Sequence, residues 1–216
     1  NILQGEAAHE IELASDDLTL DLTPMFEGPL TLTGLKATGL LAVNALQLDD
    51  LDLKFTQGDA GFHLTGAIGM TPDKQPGEPP LLASLSLETE GTVSKDTVLA
   101  FGPVKLGDGG RRFAENNIEA TALHDIKAHI DLTRDSFGKD GFLRDDDLEL
   151  TFAADGAWVK FMSDLPAVEN GVGTGRLTGN SFRATLDSGE YGGWDLDEAS
   201  FSLPAFNDRG GDFRVF

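Results

Sequence analysis

Residues 171–206 read GVGTGRLTGNSFRATLDSGEYGGWDLDEASFSLPAF, and this stretch decides the fold. Phe182, Ala184 and Leu186 alternate with Arg183, Thr185 and Asp187. A Ser-Gly-Glu corner and a Gly-Gly pair follow, and then Leu196, Ala199, Phe201 and Leu203 restore an apolar parity. Alternation of period two makes one face of a strand dry and the other wet. Strand, corner, strand is the unit, and the rest of the chain repeats it.

Working back along the chain, the clearest hairpin spans residues 46–70. Leu51, Leu53 and Phe55 point one way, and Asp50, Asp52, Lys54 and Thr56 the other. Phe62, Leu64, Ile68 and Met70 return across a corner at residues 57–61, with Gly66 in the same parity. Leu46 and Leu48 have the opposite parity to Leu51, which predicts a bulge at Asp49-Asp50. Short strands are expected at 8–13, 18–22 and 30–35. Residues 36–45 read as a strand or a short helix, with strand preferred. Leu85 and Leu87 alternate with serines, and residues 98–106 form an apolar run broken at Gly102-Pro103. Ile118, Ala120 and Ala122 change parity at Leu123 and continue as Ile126, Ala128, Ile130 and Leu132. Leu148, Leu150 and Phe152 make another strand, and residues 158–161 follow a glycine-containing turn. The pattern predicts roughly twelve strands.

No segment shows an apolar stripe at helical spacing over three turns. One-sided strands without covering helices must bury their apolar face on themselves. The expected fold is therefore all-β, with few or no helices. It is a long curled antiparallel sheet forming an open apolar groove, folded like a taco, with a β-sandwich as the alternative. The chain is expected to be one segment of a longer protein. Within it, 1–70 form a first hairpin group, 71–80 a Pro-rich loop, 81–154 the middle strands, and 155–216 the final part.

Charge and composition narrow the function. The 216 residues hold 16 basic and 37 acidic side chains, a net charge of −21. That argues against nucleic acid and against adhesion to an anionic membrane surface. It suits a solvated outer face that discourages edge-to-edge pairing. There is no Cys, which removes disulfides, thiolate metal sites and Cys nucleophiles. No apolar run is long enough to cross a bilayer as a helix.

No motif carries catalysis or a metal, and no cofactor is expected. An EF-hand loop read from Asp135 puts Phe137 and Asp146 where a ligand and the closing Glu belong. His124 and His129 are five residues apart, so a regular strand points them to opposite faces unless a bulge intervenes. No nucleophile elbow, zinc-protease helix or P-loop occurs. The glycines at 171–175 lack a following helix and read as a corner. What remains is the lining: Leu53, Phe55, Phe62, Leu64, Ile130, Leu132, Leu150, Phe152, Phe182, Leu186, Phe201 and Leu203.

The final part resembles a known family. The residues are Asp155-Gly156-Ala157-Trp158-Val159-Lys160-Phe161, Leu165-Pro166, Gly173-Thr174-Gly175-Arg176-Leu177-Thr178-Gly179-Asn180, and Phe182-Arg183-Ala184 with Leu186. Gly189-Glu190-Tyr191-Gly192-Gly193 and Phe201-Ser202-Leu203-Pro204 complete the pattern. This is similar to the AsmA-like family of large bacterial envelope proteins, particularly the YhdP-type members; residues 28–70 are similar to its looser hairpins. The resemblance implies a non-catalytic segment of a bridge-like lipid-transfer protein. Such a protein is periplasmic, anchored in the inner membrane, and carries phospholipid acyl chains between inner- and outer-membrane components. This chain departs from the family by its acidity. Two other readings stand beside it. One is an extracellular or periplasmic binding or adhesion module using Trp158, Tyr191 and Trp194; the other is a hydrolase built on the abundant Asp and Glu.

Overall fold

A computed structural model describes residues 8–20, 30–42, 45–57, 60–70, 81–101, 115–119, 122–133, 136, 143–160, 165–205 and 212–215. Among these residues, fourteen strands join in a single sheet. They are β1 (His9–Ser15), β2 (Leu18–Leu20), β3 (Leu30–Ala42), β4 (Ala45–Gln57), β5 (Ala60–Met70), β6 (Leu81–Glu90) and β7 (Ile118–Glu119). There follow β8 (Ala122–Leu132), β9 (Leu148–Val159), β10 (Val168–Thr178), β11 (Phe182–Tyr191), β12 (Trp194–Leu196), β13 (Ala199–Leu203) and β14 (Asp212–Val215). Every pairing between them is antiparallel.

The order is a meander: β1-β3-β4-β5-β6-β8-β9-β10-β11-β13-β14. The three strands off this path continue a rank already in it. β2 lies beside β3 as β1 does, β7 beside β9 as β8 does, and β12 beside β11 as β13 does. Each rank follows its neighbour in the chain, and the sheet does not close into a barrel. One sheet replaces the two that a sandwich would need. At about 4.8 Å per rank, the eleven ranks span about 48 Å.

Irregularities bend this sheet. The register slips at Leu48/Leu51 in β4, where the sequence predicts a bulge. It slips again between His124 and Lys127, where Asp125 adopts φ +51, which explains the parity change at Leu123. Further slips lie in β10 between Glu169 and Gly173. Bulges increase local twist and bend, and so let a long sheet curl about its apolar side. The accessible surface, 12746 Å², is about a third above the ~9,600 Å² of a compact monomer of 23.0 kDa.

Several expectations are corrected. Residues 30–42 form one strand of 13 residues rather than two short ones. The Ser188-Gly189-Glu190 corner is strand, lying towards the end of β11, and the turn comes later, at Gly192-Gly193. Those glycines have φ +60 and +85, as a two-residue type I′ turn requires. Residues 171–175 are likewise strand, not corner. Residues 148–159 run through Gly156, at φ +66, without a turn. The apolar run at 98–106 begins inside a helix, α1 (Lys95–Phe101). Ser94 Oγ accepts a hydrogen bond from Thr97 N at 3.1 Å and caps it. Seven residues make only two turns, too few to show a stripe. The Pro-rich loop 71–80, Phe161, and Asp135 and Phe137 of the EF-hand reading lie outside the described residues.

Candidate functional site

The register carries the apolar parity across the whole sheet. One rung runs Leu35, Leu53, Leu64, Leu87, Ala128, Leu150, Leu177, Phe182, Leu203, each directly opposite the next. On one side of it lies Leu32, Phe55, Phe62. On the other lies Ala37, Leu51, Gly66, Leu85, Ile130, Leu148. Leu132 joins through Ala83, Phe152 through Gly175, and Leu186 through Ala199. All twelve residues expected to line the groove therefore share one face.

Burial along that face is uneven. At the β3–β5 end, Leu32, Leu51, Leu53, Phe55 and Phe62 are buried, and the rings of Phe55 and Phe62 stack at 4.8 Å. At the β11–β13 end, Phe182, Leu186, Ala199 and Phe201 are buried, with Phe182 and Phe201 centroids 6.3 Å apart. Between the two ends, Leu64, Leu85, Leu87, Ile130, Leu150 and Phe152 are only half-buried. Ala83, Leu123, Ile126, Leu132 and Ala154 of the same middle strands are buried, and Leu35, Leu177 and Leu203 towards the ends are half-buried. The partly covered strip is therefore the run of Leu64, Leu87 and Leu150 with its half-buried neighbours, interleaved with filled positions. Leu85 and Leu87 belong to this strip although the expected lining omits them; their alternation with Ser84 and Ser86 was the available signal.

One margin of the strip is fixed by the segment between β6 and β8. Val93 and Leu123 exchange two backbone hydrogen bonds, at 2.7 and 3.0 Å. Val93 is 1% exposed, and Val98 of α1 packs against the same cluster. Lys95 Nζ donates to the carbonyls of Ile118 (2.7 Å) and Glu115 (3.5 Å), tying α1 to the start of β7. Nothing in the residue pattern of 91–94 announced this role.

The opposite face is charged and hydrogen-bonded. His63 pairs with Asp52 at 3.1 Å, and Lys127 with Glu88 at 3.6 Å. His129 meets Asp131 at 2.9 Å and Ser86 Oγ at 3.0 Å. Hydrogen bonds from Ser84 and then His129 hold the Asp131 carboxyl below its ordinary value. His124 contacts Asp125 at 2.8 Å and Asp155 at 3.3 Å, and its hydrogen bond to Asp125 leads the upward shift of its pKa. The bulge at Asp125 puts His124 opposite Ala153 while His129 stays opposite Glu149. The two histidines therefore share the outer face, against the expectation for a regular strand. Among the described residues, no three His, Asp or Glu side chains converge as a metal would need.

Of the three aromatics of the binding-module reading, Tyr191 and Trp194 are cross-strand partners at the β11–β12 turn, and Trp158 pairs instead with Glu119. Trp194 is 78% exposed at the β11–β12 tip, Tyr191 packs on the Val168 cluster, and Trp158 is half-buried in β9. No protein-family model, curated protein or solved structure matches this chain.

Proposed function

We propose that this chain is a non-catalytic segment of a bridge-like lipid-transfer protein, acting in the periplasm of a bacterial envelope. It would carry phospholipid acyl chains along its apolar face between inner- and outer-membrane components. The observation that carries this reading is the half-open strip on β5, β6, β8 and β9, continuous with buried apolar ends on both sides. An acyl chain laid there gains roughly 0.8 kcal/mol for each methylene removed from water. Among the described residues the strip is lined by Leu, Ile and Phe side chains, so a head group would remain at the open side. The residue likeness of 155–206 to AsmA-like proteins supports the same assignment.

The test is purification without detergent followed by native mass spectrometry, with uptake of a fluorescent phospholipid from vesicles as a second readout. Bound phospholipid is expected in the parent chain and lost in Leu87→Asp, which puts a carboxylate in the middle of the strip. Absence of both co-purified lipid and uptake refutes the proposal. One observation favours the binding-module reading, the exposure of Trp194. Glycan binding that disappears in Trp194→Ala would replace the lipid assignment with that one.

A further inference from the structure

On the outer face of β10 and β11, Arg176 and Arg183 stand directly opposite each other. Like charges in that position repel. The arrangement is conspicuous in a chain of net charge −21. Only one of the two is neutralised. Glu149 accepts from Arg176 Nε at 3.0 Å and Nη2 at 3.1 Å, and this pair lowers the Glu149 pKa and raises that of Arg176. Among the described residues, no carboxylate pairs with Arg183.

The neighbours of the two arginines are hydroxyls. Thr151 faces Arg176, Ser202 faces Arg183, and in the adjacent rung Thr174 faces Thr185 and Thr185 faces Ser200. Arg176, Arg183, Thr151, Thr174 and Thr185 line one shallow depression of about 360 Å³. Asp125 borders it, with its carboxylate 2.8 Å from His124 Nδ1. Arg214 on β14 lies two ranks beyond Arg183, opposite Ser200, with Asp212 opposite Ser202.

We infer that this depression is a binding site for a phosphate-type oxyanion, either free in solution or presented on a lipid headgroup. The chemistry is that of the donors. Arg183 offers an uncommitted guanidinium fork, Arg176 retains its Nη1 hydrogens, and three threonine hydroxyls surround them. A tetrahedral oxyanion can accept from several of these at once, where a single carboxylate would satisfy fewer. It would also relieve the repulsion between the two arginines. Carboxylates elsewhere on the surface are screened beyond about 10 Å at ordinary salt and do not cancel a local contact. The site is on the face opposite the apolar strip, so it stands or falls independently of the lipid-groove reading.

The experiment is a titration of the whole chain with inorganic phosphate, followed by NMR at the arginine Nε–Hε and backbone amide signals. Sodium chloride at matched ionic strength is the reference. Saturable shifts centred on Arg183, Thr174 and Thr185 are expected, with a Kd of about 1–10 mM, as suits a few exposed charge-assisted contacts. Arg183→Gln should weaken binding about tenfold, a loss of one charge-assisted contact. Lys54→Gln, an exposed cation on β4, five ranks from β10, should leave it unchanged. Glu149→Gln should tighten it several-fold by releasing Arg176. A parallel arm uses vesicles of phosphatidic acid in phosphatidylcholine. Arg183-dependent binding in the vesicle arm alone assigns a headgroup, and in the phosphate arm a free anion. Equal weakening by Arg183→Gln and Lys54→Gln, shifts reproduced by chloride, or no binding in either arm overturns the inference.

Discussion

Gly175 sits beneath the ring of Phe152, and that contact gives a stringent test of the interior. A Cβ added at Gly175 would lie 2.2 Å from Phe152 Cζ and 2.7 Å from both Cε atoms. Gly175→Ala must therefore displace the ring, an overpacking cost of about 1–3 kcal/mol. Phe152→Ala removes a half-buried ring, for which about 2 kcal/mol is reasonable against the 3–5 kcal/mol of a fully buried one. If the two effects were independent, the double variant would lose about 3–5 kcal/mol. With the ring gone the methyl collides with nothing, so the double variant should lose about 2 kcal/mol, a coupling of about 1–3 kcal/mol. Gly173→Ala supplies the contrast. Its Cβ would lie 2.1 Å from the backbone oxygen of Thr185, a clash that Phe152→Ala cannot relieve. That pair should be additive. The assay is urea unfolding, with midpoints compared at unchanged m. Additivity to within about 0.5 kcal/mol in the Gly175 cycle refutes the packing of Phe152 over β10.

Other outcomes follow from burial and charge. Ile130 is half-buried and Leu53 only 7% exposed, so thermal unfolding should show Ile130→Asp costing less than Leu53→Asp; the reverse order would sink the half-open strip. The pKa shifts set a window in pH. Asp131 and Glu149 titrate below their ordinary values of 3.8 and 4.5, so their stabilisation is present above those values and fades as pH falls through the lowered ones. His124 titrates above 6.5, so its contribution is full below that value and lost as pH rises through the raised one. Unfolding midpoints measured across pH should therefore plateau between the carboxylate and histidine ranges, and His124→Asn should remove the alkaline decline. Glu149→Gln should cost at most about 1 kcal/mol at low salt and less at high salt, since the pair is exposed. Trp194→Ala should change stability by no more than about 0.5 kcal/mol, and acrylamide should quench Trp194 far more readily than Trp158.

Much of this architecture can be read from residue parity, and the misses have physical causes. Leu51, Leu53 and Phe55 announce a dry face, and the slips at Leu48 and Leu123 announce bulges, because a side chain must change sides when one residue is inserted. The glycines at 171–175 and 189 misled for the opposite reason. Glycine marks corners, yet here it marks close approach: a Cβ at Gly189 would come within 3.2 Å of Val168. Helix α1 escaped because two turns leave no periodicity, and its one local sign is the Ser94 cap. Parity places the twelve named residues on one face of the sheet, but which of them stay half-buried depends on curvature, which no single strand encodes. The Arg176–Arg183 juxtaposition depends on register between strands, and register is a property of the pair.

The strictly sequential meander has a mechanical consequence. Each rank is held laterally by the ranks just before and after it, and among the described residues no strand from the far end of the chain locks the near end in place. A pull on the two ends would load the edge strands in a zipper geometry, one backbone bond after another, rather than shearing a whole ladder together. The sheet should peel rank by rank at low force, with a sawtooth of small steps in place of one large rupture. The same locality makes a hairpin the natural unit of gain or loss, so the sheet can lengthen or shorten without its remaining ranks being repacked.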